Sequence, residues 1–200
     1  MHVDAMEQIL DAAEQRFAHY GYGKTTMAEI ARDAGMSVGN LYRFFKNKEA
    51  IALASTEKLL AAKLEAGLRA AASESTSCGA LRAFLLARLR LAHAYFSDSR
   101  HLFELVELNN LRHRDILLSY ENRVIDAMSE ILEQGMNNGD IISGDAHRMA
   151  YLMHQALLRY NSPLSLRRNP LDRLETDLHD FIALMYSGLA LNTIPQGENT

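Results

Sequence analysis

The first proline in this chain is Pro163, and only Pro170 and Pro195 follow it. A chain that runs so far without a residue that breaks helices, and without alternating β-branched residues, is constrained to be helical. Apolar residues recur at threes and fours. Ile9, Leu10, Ala13, Phe17 and Tyr20 follow that spacing, which places them along one side of an amphipathic helix. Gly21 and Gly23 close this helix, as residues that tolerate positive φ do. Thr25 or Thr26 offers the next N-cap, and Glu29 stands three residues after Thr26, the spacing of a capping box. The spacing predicts short helices over 27–34 and 38–45, the second capped by Ser37, then a long one from Lys48 to about Ala72 capped by Asn47. Further helices are expected at roughly 80–96, 101–109, 111–137, 144–161 and 170–189. Loops are expected at 73–79, at 137–140, and from Ser162-Pro163 to Asn169-Pro170. The fold class is all-α: an N-terminal three-helix unit over 1–47, a larger helical unit over 48–191, and a tail over 192–200.

Two hundred residues with 48% hydrophobic and 23% charged side chains are ordinary for a soluble globular protein. The longest uncharged stretch, Phe181 to Gly197, is interrupted by Ser187, Gly188, Asn192, Thr193 and Pro195, so it does not read as a membrane span. The first residues carry no secretory pattern, and a cytoplasmic protein is expected. One cysteine, Cys78, excludes an intrachain disulfide and a cysteine-rich zinc site. The eight histidines form no His-Glu-x-x-His arrangement, so no metal and no cofactor is expected. No catalytic motif is evident, which argues against a helical enzyme.

The formal charge is −4 overall, yet residues 34–48 hold Arg43, Lys46 and Lys48 and no acid. A small cationic patch on an acidic chain suits one phosphate-facing surface. The patch lies within two short helices joined by Ala34-Gly35-Met36-Ser37, a helix-turn-helix. Few long side chains obstruct the start of the second helix, so it can enter a major groove. There Asn40 can reach a base edge and Val38 a thymine methyl. Tyr42 and Arg43 can donate to phosphates, and Thr25, Ser37 and Lys48 stand at helix N-termini. Short helices around a glycine turn also occur in helical proteins that never meet DNA.

The run from Thr25 through Ala34-Gly35-Met36-Ser37-Val38-Gly39-Asn40-Leu41-Tyr42 to Glu49 resembles the DNA-binding domain of the TetR family of bacterial transcriptional regulators. Ile9 to Ala13 and Phe17 to Gly23 fit that domain's first helix. The resemblance covers about residues 5–55. It implies a homodimer that reads a palindromic operator in double-stranded DNA, and a helical C-terminal domain that dimerises and usually binds a small inducer. Carried over position by position, Thr25, Ser37, Tyr42 and Lys48 match phosphate-contact positions, and Gly39 and Asn40 match positions that often face bases. Thr26, Val38, Arg43 and Lys46 complete the expected DNA-binding set. Two positions depart: Arg43 stands where histidine is frequent, and Phe44 where tyrosine is.

Beyond residue 55 the reading rests on periodicity. On the helix expected at 80–96, Arg82, Leu86, Arg90 and His93 share one side, while Arg88 falls among Leu81, Phe84, Leu85 and Tyr95. A cation on an apolar face needs a partner, either a carboxylate such as Glu104 or Glu107 or an anionic ligand. His113 and Tyr120 share a stripe with Leu117, Val124, Met128 and Ile131, and His154 lies among Met149, Met153 and Leu157. Each is a satisfied core residue or one of the few polar groups of an apolar pocket. The candidate ligand-binding set is Phe84, Arg88, Tyr95, Phe103, His113, Leu117, Tyr120, Met153, His154 and Leu157. Leu171, Leu174, Leu178, Phe181, Ile182, Met185 and Leu189 would form a dimer face with the helix at 144–161, or else close the monomer's core. The expected function is a repressor released from its operator by a small molecule. The alternatives are a co-repressed or activating regulator, or one that answers to no small ligand.

Overall fold

The computed structural model describes residues 2–97, 101–102, 105–106 and 113–189, and among them there is no strand. The first helix, α1 (His2–Tyr20), buries Ile9, Leu10, Ala13 and Phe17 on one face. It ends at Gly21, whose φ of 86° lets its N–H reach the Phe17 carbonyl at 3.1 Å. Helix α2 (Met27–Asp33) opens with the capping box: the Glu29 N–H donates to the Thr26 hydroxyl, and the Glu29 carboxylate accepts the Thr26 N–H at 2.9 Å. Gly35, at φ 66°, turns the chain into α3 (Val38–Phe44). The Met36 N–H bonds back to the Ala31 carbonyl at 2.9 Å and the Gly35 N–H to that of Arg32 at 3.1 Å. This double closure needs a left-handed residue at its centre. The buried side chains Ile30, Ala31 and Leu41 lock α2 and α3 together, with Phe45 beside them.

Asn47 caps α4 (Lys48–Ala71) through its bond from the Ala50 N–H at 2.8 Å. At 1.5 Å per residue this helix is about 36 Å long, so it begins at the N-terminal unit and runs through the second bundle. It packs against α5 (Ser77–Ser97), tightly at Gly67, where a Cβ would stand 2.8 Å from the Phe84 ring. Helix α6 (Arg114–Asn137) crosses α5 at a second close point: a Cβ on Gly135 would meet the Ser77 hydroxyl at 2.6 Å. Asp145 caps α7 (Ala146–Ala156).

Two expectations are corrected here, and one open alternative is decided. The helix expected to run to residue 161 ends at Ala156 and tightens into a 3₁₀ turn, Leu158–Tyr160. The segment expected as a loop is instead α8 (Pro163–Arg168), which starts with its proline in the first turn and buries Leu166. Proline's missing N–H and fixed φ suit that position, so Pro163 starts a helix instead of ending one. In α9 (Leu171–Leu189) the stripe Leu174, Leu178 and Ile182 is buried in the chain's own core, packed against α5, and does not form a free dimer face. Periodicity locates an apolar face but does not say what covers it. The helix expected at 101–109 falls largely outside the described residues, together with Phe103, Glu104, Glu107 and the tail.

Candidate DNA-reading head and ligand cavity

The outer side of α3 is open. Val38, Gly39, Tyr42 and Arg43 are exposed, Tyr42 at 52%, and Lys46 is exposed beyond the helix end. Asn40 is half-buried, with its amide nitrogen 4.0 Å from the Met36 sulfur. The Ser37 hydroxyl accepts the Asn40 N–H at 3.2 Å and so fixes where α3 starts. Thr26 is exposed, and its hydroxyl also donates to Glu29 at 2.8 Å.

Two residues of the expected phosphate-contact set form bonds inside the head. Thr25 is buried and its hydroxyl donates to the Gly21 carbonyl at 2.9 Å. The Lys48 ammonium donates to the carbonyls of Tyr22 and Thr25, the latter at 2.7 Å, and lies 4.2 Å from the Tyr22 ring centre. These bonds tie the start of α4 to the turn after α1. Burial lowers the Lys48 pKa. Both side chains brace the head in this structure; the Lys48 ammonium, half-buried, keeps one of its three donors beyond these bonds. The sequence reading passed over Arg16. It is buried on α1 and pairs with Asp33 and, at 3.2 Å, with Glu29 of α2. The Arg16 guanidinium holds the Asp33 carboxyl below its usual range.

The second unit contains a cavity of about 380 Å³ between α4, α5, α6 and the segment after α7. Among the sequence-expected residues, Arg88, Tyr95, Leu117, Tyr120 and His154 line it. Phe84, Met153 and Leu157 are buried but are not on its wall. Phe84 packs where α4 meets α5, and its ring lies 5.1 Å from the Arg88 guanidinium carbon. His113 stands just before α6 without a side-chain capping bond; its Nε2 lies 3.4 Å from a Glu49 carboxylate oxygen at the start of α4, and it is not on the cavity wall. Phe103 lies outside the described residues.

Lys63 was missed, yet its signal is present in the sequence. It falls four residues after Leu59 and four before Gly67, on the buried side of α4, so the reasoning that singled out Arg88 applies equally to it. In the structure Lys63 and Arg88 are 4% and 2% exposed. Arg88 donates to the Tyr120 hydroxyl at 3.2 Å, and its Nε has no partner. Lys63 reaches the Asn161 side-chain oxygen at a long 3.5 Å. Burial, with added repulsion from Arg88, pushes the Lys63 pKa down to about 7. Burial and the same two cations push His154 down to about 4, so its ring is neutral near pH 7. On the far wall Tyr95 stands beside Glu14 of α1, and burial together with the Glu14 charge raises its pKa.

The depressed Lys63 pKa makes stability depend on pH. The unfolded side chain keeps its proton up to about 10.5, while the folded one sheds it above about 7. Between those values the unfolded chain binds more protons, so this group makes stability rise with pH. Below about pH 7 the full cost of the buried charge is present. Urea unfolding at pH 7 and pH 9 is expected to show a gain for the wild type relative to Lys63→Met. Equal changes in both proteins would contradict the assignment.

A short head of three helices, a long fourth helix and a hollow helical bundle behind it can be compared with known proteins. Residues 9–55 match the family described as "Bacterial regulatory proteins, tetR family", and residues 79–182 match "Tetracyclin repressor-like, C-terminal domain". The chain belongs to the TetR family of bacterial transcriptional regulators. Among its relatives is the uncharacterized HTH-type transcriptional regulator YhgD of Bacillus subtilis, 24% identical over 86% of this chain and 91% of that one. The fold is shared with a putative TetR-family regulator from Mesorhizobium loti, with a TM-score of 0.74, 18% identity, and coverage of 94% of this chain and 97% of that one. It is also shared with the transcriptional regulator FadR of Bacillus subtilis in complex with stearoyl-CoA, with a TM-score of 0.68, 21% identity, and coverage of 88% and 96%. TetR-family members are generally DNA-binding proteins without enzymatic activity, and dimerisation and ligand binding are typical of them. No helix among the described residues is long and apolar enough to cross a membrane.

Proposed function

We propose that this TetR-family regulator is a homodimeric repressor whose paired α3 helices read a palindromic operator and let go when a small molecule fills the cavity. One observation carries the reading. Helix α4 is a single rigid element whose first residue, Lys48, is fastened to the head, and whose Thr56, Leu59, Leu60 and Lys63 line the cavity. A ligand that shifts α4 must shift the head with it. Tyr95 beside Glu14 is a second link, from the cavity wall to α1. The likeness in fold to FadR, solved in complex with stearoyl-CoA, supports a regulator of this fold that takes a small ligand. Two recognition helices must stand about 34 Å apart to enter successive major grooves, and a changed spacing weakens binding. Coupling of about 1–3 kcal/mol is usual for such a device.

The direct DNA contacts we assign are Val38, Gly39 and Asn40 to bases, and Tyr42, Arg43 and Lys46 to phosphates, with Thr26 and Ser37 at the helix starts. The partner subunit is assigned to the exposed sides of α7 and α9. Tyr151 and Leu152 of α7 are exposed there, and Leu184 of α9 is 69% exposed.

Operator fragments selected from random DNA provide the test. Asn40→Ala is expected to lose about 1–3 kcal/mol at one base position, and Arg43→Ala to lower affinity evenly across sequences while reducing the salt slope by about one. An even loss on all sequences for Asn40→Ala would remove its role in reading bases. Tighter DNA binding with ligand present would reverse the direction of regulation.

A further inference from the structure

Inside the cavity, the walls and the charges ask for different things. Leu59, Leu60, Leu105, Val106 and Leu117 line it with hydrocarbon, which suits an apolar body. Two cationic side chains, Lys63 from α4 and Arg88 from α5, project into the same space, and each is more than nine-tenths buried. Neither forms an ion pair with a carboxylate among the described residues. A guanidinium presents five donors. Here one meets the Tyr120 hydroxyl, Nε has no partner, and the aromatic faces of Phe84 and Tyr120 lie 5.1 and 5.9 Å from its carbon. Lys63 has one long bond to Asn161 and sits 5.8 Å from the Tyr120 ring centre.

A buried cation without a carboxylate is costly, and two that repel each other are more so. Folding alone gains nothing from keeping them, since a methionine at either position would fill a similar volume. Glu121, half-buried, is the one acid on the cavity wall among the described residues. Among the described residues of the wall, two cations stand against one carboxylate, an excess of one positive charge.

Resting on the reading of this cavity as the effector site, we infer that its ligand is an amphipathic monoanion: one carboxylate or comparable headgroup held between Lys63 and Arg88, with an apolar body against the leucine-lined wall. The free guanidinium edge supplies directed donors to the headgroup, and the Lys63 ammonium supplies the second charge. His154 is neutral here, and its Nε2 has no partner, so it offers the headgroup one further polar contact. A volume near 380 Å³ falls within the range for drug-sized ligands. The inference also gives the ligand a mechanical effect. Lys63 is part of α4, so a headgroup that draws the lysine toward Arg88 pulls on the helix that carries the head.

The titratable and charged groups facing the headgroup are Lys63 on α4, Arg88 and Tyr95 on α5, Tyr120 and Glu121 on α6, and His154 on α7. An anion restores the proton to Lys63, so the dimer should bind it better at pH 6 than at pH 8.5 and should take up protons at pH 8.

The test is calorimetric titration of the full-length protein, free of DNA, with straight-chain carboxylates from hexanoate to dodecanoate, and with the matching alcohols and amines. At least one carboxylate is expected to bind about tenfold or more tightly than its alcohol, the amine being weakest, with acetate and phosphate failing to bind comparably. Lys63→Met should abolish the preference of carboxylate over alcohol while raising the melting temperature; Arg88→Lys should weaken it and keep the fold. If no carboxylate exceeds its alcohol, or acetate or phosphate alone binds as tightly, the inference is overturned. If Lys63→Met lowers the melting temperature and leaves carboxylate binding intact, the lysine is a structural element and the inference is also overturned. Operator binding by the unliganded protein is measured separately. Its absence would sink the repressor reading, whereas an unselective cavity would sink only the anion assignment.

Discussion

Phe84→Ala is expected to lower the free energy of unfolding by about 3–5 kcal/mol, which is what truncating a fully buried phenylalanine costs. The ring is 0% exposed, and it fills the space that Gly67 leaves where α4 crosses α5. Glycine at position 67 lets the two helices approach, and the aromatic edge occupies the gap, so neither neighbour can collapse into the hole without shifting a helix. The ring also lies beneath the Arg88 guanidinium. Its removal should therefore loosen the cationic wall of the cavity as well as the helix crossing. For a domain whose total stability is about 5–15 kcal/mol, the loss is a large fraction. Denaturant unfolding reads the first effect, and calorimetric titration of the cavity reads the second. A loss under about 1 kcal/mol would mean that α4 and α5 repack freely, and the rigid link between cavity and head would fail with it.

Leu41→Ala is expected to lose about 2–5 kcal/mol and to abolish operator binding. Leu41 is 0% exposed and is the buried residue of α3, set against Ile30, Ala31 and Phe45. A helix of seven residues has no stability of its own in water. It keeps its shape because Ser37 caps it and Leu41 anchors it. Without the anchor the exposed row from Val38 to Arg43 loses its geometry, although each of those side chains is still present. Binding of an amphipathic probe in the cavity should survive, because the cavity lies in another part of the chain. Operator binding that persists at wild-type strength would show that α3 is held by something other than this core.

Much of the head was readable before the structure because its determinants are local. The capping box at Thr26 and Glu29, the cap at Ser37 and the glycine turn at 35 each act over three to five residues, and each appears where the spacing places it. The expectation for Pro163 failed for a related reason: whether a proline ends or starts a helix depends on which side of it the chain becomes helical, and both sides looked alike. The cavity was half readable. Helical phase placed Arg88 on the inner face of α5, and the structure buries it there. Phase placed Phe84, Met153 and Leu157 inside as well, but inside is not the same as on the wall of a cavity, and these three pack behind it. Which cation stands near which depends on how α4 and α5 cross, and that is settled at Gly67 by side chains far apart in sequence.

On its own the sequence determined that the chain is helical, where its reading head lies, and that an arginine in need of a partner falls on an apolar face; caps, breakers and the 3.6-residue period carry those messages within single elements. Only the tertiary structure decided that Lys48 braces the head, that α9 closes the monomer's own core, and that Lys63 joins Arg88 in one hydrocarbon-lined space. Those outcomes turn on how separate helices pack, and packing is set by the shapes of surfaces that no local spacing records.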